Sequence, residues 1–204
     1  MKTSELSLLR AAITQIWNAV VITTADSARG YPVEMANPAF CQMTGYALEE
    51  LRGVSLKILQ GPATDRAVVE KMRRHLSDAR YFEGMTTNYR KDGSPYIVQW
   101  SISPVRNDAG ELTHFVSVQR DVTDSVQAHQ RSHMLSQALD ATGDPIFLTD
   151  PDARIVFVNA AFSEVTGYSS EELLGQTPRL FSSGKHDASF YQRLYETLSQ
   201  GQNF

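Results

Sequence analysis

A seventeen-residue stretch occurs twice in this chain, and no other feature limits the fold so tightly. Residues 37–53 read NPAFCQMTGYALEELRG and residues 159–175 read NAAFSEVTGYSSEELLG; ten of the seventeen positions are identical, at an offset of 122 residues and without a gap. Repetition of this kind means two copies of one folding unit. The segments ahead of each copy agree in kind: Val20-Val21-Ile22-Thr23 and Ile146-Phe147-Leu148-Thr149 both read as short apolar strands ending in threonine. The copies differ in the length of chain beyond them. About seventy residues succeed the first before the next linker, and about thirty succeed the second. The first unit therefore has strands that the second lacks, and the chain reads as a piece of something longer.

A length of 204 residues accommodates one large or two small domains. Hydrophobic residues make up 42% and charged residues 21%, the balance of a globular protein that buries a core without staples. The net charge is −4 and no basic stretch stands out, which argues against a nucleic-acid groove in this fragment. The single cysteine, Cys41, rules out an internal disulfide and a cysteine-rich metal site. No apolar run approaches the roughly 20 residues of a membrane span, and the start Met1-Lys2-Thr3-Ser4-Glu5 lacks the features of a signal peptide. The expectation is a cytoplasmic protein with no membrane partner.

Periodicity divides the chain further. Leu6, Leu9, Ile13 and Ile16 stand at 3-4-3 spacing and predict an amphipathic helix over 4–18. Strands are predicted near 19–24 and 32–36, short helices near 38–43, 47–51 and 65–78, and three strands near 83–91, 95–106 and 112–121. Asp92-Gly93 and Asn107-Asp108-Ala109-Gly110 are the turns between those last three. Residues 122–141 lack turn formers and predict a joining helix. This gives an N-terminal helix (1–17), a first domain (18–121), a linker helix (122–140) and the front part of a second domain (141–204). The class is α+β, a five-stranded antiparallel sheet with helices on one side.

The repeated N-x-A-F-x-x-x-T-G-Y-x-x-E-E-L-x-G resembles the hallmark of PAS domains in both copies. In the first copy, 53–66 (GVSLKILQGPATDR), 87–93 (TNYRKDG) and 115–121 (FVSVQRD) are similar to segments of the flavin-binding LOV kind of PAS domain. The resemblance implies a flavin inside the cup of sheet and helices, FMN ahead of FAD. It implies Gln60 at the ribityl chain and ring side, Lys57 and Arg73 at the phosphate, Asn88 on the pyrimidine edge and Gln119 near the flavin N5 and O4. Three positions depart. Leu56 stands where the family has its reactive cysteine, which removes the thiol adduct. Ser55 replaces a ribityl-contacting asparagine, and Val98 replaces the second pyrimidine-edge asparagine. Cys41 lies at the start of a different helix, where a small buried thiol is the ordinary reading.

Strand alternation supplies an independent argument. Tyr96, Val98, Trp100 and Ile102 share one face, as do Phe115, Ser117 and Gln119, and Thr86 and Asn88. Apolar walls with a few placed amides suit a flat ring with polar edges. Trp100 is a candidate electron donor to that ring or a bulky wall. Plainer readings stand beside these: Asn88 and Gln119 as sheet polars, Trp100 as core, and Lys57, Arg66 and Arg73 as solvated charges. His129 and His133 have metal-binding spacing on a helix, without a third ligand in view. No nucleophile–base pair or phosphate-cradling loop occurs, so catalysis is expected only in a missing effector, a diguanylate cyclase or phosphodiesterase or a histidine kinase. The second copy lacks the LOV run, and no flavin is expected there. The sensory reading, for light or redox state, is opposed by a non-flavin module for small-ligand binding or relay. Helices between such modules need a partner for their apolar seam, which predicts a homodimer.

Overall fold

The computed structural model describes residues 8, 11, 13–182 and 184–201. It divides into two units, 1–129 and 130–204. Leu6 and Leu9 of the expected N-terminal stripe lie outside the described residues; helix is seen at 13–15 and gives way before Ile16, and Trp17 is fully exposed.

In the first unit, β1 (Ala19–Thr24) and β2 (Val33–Ala36) lead into α1 (Pro38–Thr44), α2 (Leu48–Leu51), a 3₁₀ turn (Leu56–Leu59) and α3 (Arg66–Ser77). Then come β3 (Phe82–Tyr89), β4 (Pro95–Arg106) and β5 (Leu112–Asp121). The sheet order is β2-β1-β5-β4-β3, and every pairing is antiparallel. The 3₁₀ turn is the element that periodicity missed; four residues are too short to show one.

The sheet has one buried face. Along β4, Tyr96, Val98, Trp100 and Ile102 are buried while Gln99 and Ser103 are exposed. Pairing puts Phe82 opposite Ile102, Ile102 opposite Ser117, and Trp100 opposite Gln119, so the buried residues of three strands form continuous rows. Leu76 of α3 and partly buried Val68 and Met72 close over the β3–β4–β5 part, and Phe40, Leu51 and Leu59 over β1 and β2. Each such side chain contributes about 1.5–3 kcal/mol by leaving water. Met85, Val105 and Val118 project from the opposite face, where they remain exposed.

The repeat identities are mostly end-of-helix chemistry. Asn37 caps α1 through Phe40 N at 3.0 Å, Phe40 is fully buried, and Thr44 Oγ1 donates back to Phe40 O at 2.9 Å. Gly45 then takes φ +76°, a left-handed stop that side chains disfavour. Glu50 accepts from Ala47 N at 3.0 Å and buries Leu51 beneath it. The second unit repeats this with Asn159, Phe162, Thr166, Gly167, Glu172 and Leu173. Its elements are β6 (Phe147–Thr149), β7 (Ile155–Val158), α5 (Ala160–Thr166), α6 (Ser170–Leu173), a second 3₁₀ turn (Pro178–Phe181) and α7 (Ala188–Ser199). Here the sheet has two strands, and the core is four buried residues, Ile155, Val158, Phe162 and Leu173. Between the two sets of elements runs α4 (Thr123–Asp140), none of whose residues is buried. No helix among the described residues is long and apolar enough to cross a membrane.

Candidate functional site

Between the buried face of the sheet and α3 lies a cavity of about 450 Å³, within the range that holds small molecules, roughly 300–1,000 Å³. Its wall brings together Ser55, Leu56, Lys57, Gln60, Arg73, Asn88, Trp100 and Gln119. All three amides of interest, Gln60, Asn88 and Gln119, therefore reach one space. Trp100 lines that space without filling it.

Val98 is the exception. It is fully buried among Tyr96, Trp100 and Ile102 in the core and is absent from the cavity wall. Its cross-strand neighbours are Thr86 and Asp121. An expected contact from position 98 to a ligand is thus not present, because the strand turns this side chain into packing. Ser55 is on the wall, but its hydroxyl is already engaged, donating to Gly30 O at 2.6 Å.

The run Leu59–Asp65 borders the cavity at Leu59 and Gln60, and its residue types staple it to β3. Gly61 N donates to Thr64 Oγ1 at 2.9 Å, Thr64 Oγ1 donates to Thr87 O at 2.6 Å, and Asp65 N donates to Thr86 Oγ1 at 2.8 Å. Ala63 N donates to Tyr89 Oη at 2.9 Å, and the Tyr89 ring lies so close to Gly61 that a Cβ there would come within 2.3 Å of it. Asp65 also caps α3 by accepting from Ala67 N at 2.8 Å. These bonds hold Gln60 at the end of the 3₁₀ turn and aim α3, with Val69, Met72 and Leu76, over the cavity. A second hollow of about 530 Å³ shares Gln60, Val69 and Arg73 with the first and adds Arg66 and Glu70. Arg73 is half exposed and 3.9 Å from Glu70. Among the described residues, Lys57 and Arg73 are the two cationic side chains on the cavity wall.

The floor is chemically uneven. Gln119 Nε2 donates to Ser117 Oγ at 3.3 Å, while Gln119 Oε1 and Trp100 Nε1 are buried without a partner. Unsatisfied buried polar atoms are rare and call for an explanation; two on one cavity wall fit a ligand with polar edges. Away from the cavity wall, burial pushes the Tyr96 hydroxyl up to about 12, with the nearby Asn88 amide and Arg90 pulling the other way and Asp121 adding to the rise. Its oxygen makes no hydrogen bond of normal geometry.

Sequence reasoning missed a cluster at the exit of β5. Arg90 donates through Nη1 to Met43 O and through Nη2 to Asp121 Oδ2 at 2.6 Å, and stacks 4.5 Å over the Tyr96 ring. Asp121 Oδ1 accepts from Thr123 N at 2.9 Å and Thr123 Oγ1 at 2.6 Å, and Thr123 Oγ1 accepts from Ile97 N at 2.7 Å. Burial raises the Asp121 carboxyl, but Thr123 and Arg90 outweigh it and hold the group below its ordinary value. The pattern Asp121-Val122-Thr123 ahead of a helix was the available signal. Ser27, Gly30 and Tyr31, from the β1–β2 loop, also line the cavity. Cys41 does not; it packs beside the other core cluster, and burial raises its thiol pKa. Among the described residues no three His, Cys, Asp or Glu side chains cluster as metal ligands.

Comparison with known proteins agrees with this fold. Residues 18–124 match the PAS domain family and residues 133–204 match the PAS fold family. A nitrogen fixation regulatory protein of Klebsiella oxytoca is 33% identical over 153 residues, which is 73% of this chain and 31% of that protein. Phototropin-2 of Oryza sativa subsp. japonica is 35% identical over 115 residues, covering 56% of this chain and 13% of its own length. A blue-light-activated histidine kinase of Brucella anthropi is 44% identical over 92 residues, covering 45% and 19%. The chain thus spans about a third or less of these relatives. Among solved structures, an RNA-binding light-oxygen-voltage receptor aligns with TM-score 0.60 and 29% identity over 68% of this chain and 39% of that one. A light-oxygen-voltage domain studied with a flavin analogue aligns with TM-score 0.53 and 33% identity, over 64% and 94%. This chain belongs to the PAS family, as a tandem sensory PAS protein whose first domain resembles LOV domains.

Proposed function

We propose that the first domain binds a flavin, FMN ahead of FAD, and that the chain relays the light or redox state of that flavin through α4 to an effector. The observation that carries this reading is the cavity of about 450 Å³ into which Gln60, Asn88, Trp100 and Gln119 all reach. Lys57 and Arg73 hold the phosphate in this arrangement, and Leu56, Met72 and Leu76 supply apolar wall. A bound flavin supplies a ring whose N5 gains a proton on reduction. Gln119 answers that change because an amide both donates and accepts, and Ser117 beside it offers a hydroxyl to either orientation. Gln119 is two residues from Asp121, which caps the start of α4, so a shift in β5 reaches that helix through Arg90, Asp121 and Thr123. With leucine at position 56 the response proceeds without a cysteinyl adduct. On this reading the two domains are regulatory, and any catalysis belongs to the effector. Met134 and Leu135 stand exposed on α4, which supports pairing of two copies through this helix.

Absorption of the purified chain tests the reading. A visible flavin band that bleaches on reduction and an extracted FMN support it; a chain that stays colourless after refolding with FMN and with FAD refutes it. A second reading, a non-flavin PAS module for another small ligand or for relay, draws on two observations: Val98 is sealed in the core and the Ser55 hydroxyl is engaged by Gly30 O. A different compound recovered from the denatured protein would decide for it.

A further inference from the structure

Two residues on the cavity wall hold polar atoms that the protein leaves unsatisfied. Trp100 is 6% exposed with no partner for Nε1; Gln119 is 7% exposed with its Nε2 on Ser117 and no partner for Oε1. They stand directly opposite each other in the β4–β5 ladder. Tyr96 Oη and Thr24 Oγ1 are also without partners, but neither residue lines the cavity. A ligand in the cavity therefore lies against one residue that carries an orphan donor and, across the ladder, one that carries an orphan acceptor.

The two atoms differ in freedom. An amide can turn over, whereas an indole N–H only donates. Trp100 also occupies the next position on the same face of β4 after Val98, which is sealed in the core. We infer that Trp100 is a specificity-determining hydrogen-bond donor: its indole N–H binds an acceptor on the ring edge, next to the edge atom that the Gln119 amide meets in either of its orientations. The inference rests on the flavin reading and adds which atom is recognised, the carbonyl oxygen at position 4 beside N5. In this role Trp100 supplies from one step along the strand what position 98 does not.

The chain has two tryptophans, and the other, Trp17, is 98% exposed, a built-in control. The test is the indole N–H resonances of the ¹⁵N-tryptophan-labelled chain, before and after loading with FMN and with FAD. On loading, the Trp100 N–H moves further than the carbon-bound protons of its own ring and exchanges more slowly with water, while Trp17 stays in place. Trp100→Phe keeps the aromatic bulk and loses the donor; it weakens flavin retention by about tenfold, the effect of one lost hydrogen bond. If flavin binds and the Trp100 N–H moves no more than its ring protons, with unchanged exchange, Trp100 is a wall and the inference fails alone. If neither FMN nor FAD binds, the flavin reading fails and takes this one with it. Should the variant misfold, the resonances of the unaltered chain decide.

Discussion

Asn37 offers the sharpest test of how the repeat builds a domain. It is 2% exposed and makes five hydrogen bonds. Its Oδ1 accepts from Val20 N at 2.9 Å and Phe40 N at 3.0 Å; its Nδ2 donates to Ile13 O at 3.1 Å, Ile16 O at 3.4 Å and Asn18 O at 3.0 Å. One side chain thus ties the entering segment, the first strand and the first helix. In Asn37→Ala, loss of the helix cap costs about 1 kcal/mol. The buried Val20 N–H is left without its acceptor, at about 1–3 kcal/mol. The three carbonyls lie where water reaches them more easily and add little. The sum is about 3 kcal/mol. Both tryptophans lie in the first unit, so tryptophan fluorescence during urea unfolding reads that unit. With a slope of about 1.5 kcal/mol per molar urea, the midpoint falls by about 2 M. Asn37→Ser restores a cap to Phe40 N but is too short for the other partners, and regains about 1 kcal/mol. A loss below about 1 kcal/mol for Asn37→Ala would show that these bonds are replaced by water at no cost, and the reasoning would fall.

Other outcomes rest on the same contacts. Gly61→Ala drives a Cβ to within 2.3 Å of the Tyr89 ring; it lowers the fluorescence-detected stability by about 1–3 kcal/mol and loosens ligand retention, as dialysis with absorption would read. Val98→Asn puts an amide into sealed core and destabilises the domain by about 2 kcal/mol or more without improving flavin affinity, measured by urea unfolding and by titration. Because the Asp121 carboxyl titrates below its ordinary value when folded, its contribution is whole above about pH 4, the unfolded value, and is lost as pH falls through the folded one. Unfolding at pH 6 and pH 3 should therefore show a smaller acid loss in Asp121→Asn than in the unaltered chain. Leu56→Cys places a thiol on the cavity wall; on the flavin reading, illumination reversibly removes the blue absorption band, which a spectrometer follows directly.

What was legible from the sequence and what was not divide along a physical line. Asn37, Thr44, Gly45, Glu50 and their counterparts Asn159, Thr166, Gly167 and Glu172 act mainly within one or two turns of chain. Chemistry that local repeats wherever the residues repeat, so the pattern carried the helices with it. Strand faces were legible for the same reason, since alternation is a property of successive residues. The site obeys a different rule. Gln60, Asn88 and Gln119 meet because a 3₁₀ turn and two different strands converge, and only the resemblance to LOV domains grouped them in advance. Alternation placed Val98 and Trp100 on one face, correctly, yet could not separate the residue packed into the core from the one on the cavity wall. That separation depends on what lies above each side chain, and α3 is set there by Thr64 and Asp65 reaching β3. Arg90 escaped notice on the same ground: its partners Met43 and Asp121 are 47 and 31 residues away. Yet the Arg90–Asp121 bond ties the end of β3 to the carboxylate that holds the start of α4 through Thr123. On the proposed reading the scaffold lies in local sequence and the coupling in distant pairs, so Arg90→Gln should weaken the response of α4 to flavin reduction, read by hydrogen exchange of that helix, more than it lowers stability in urea.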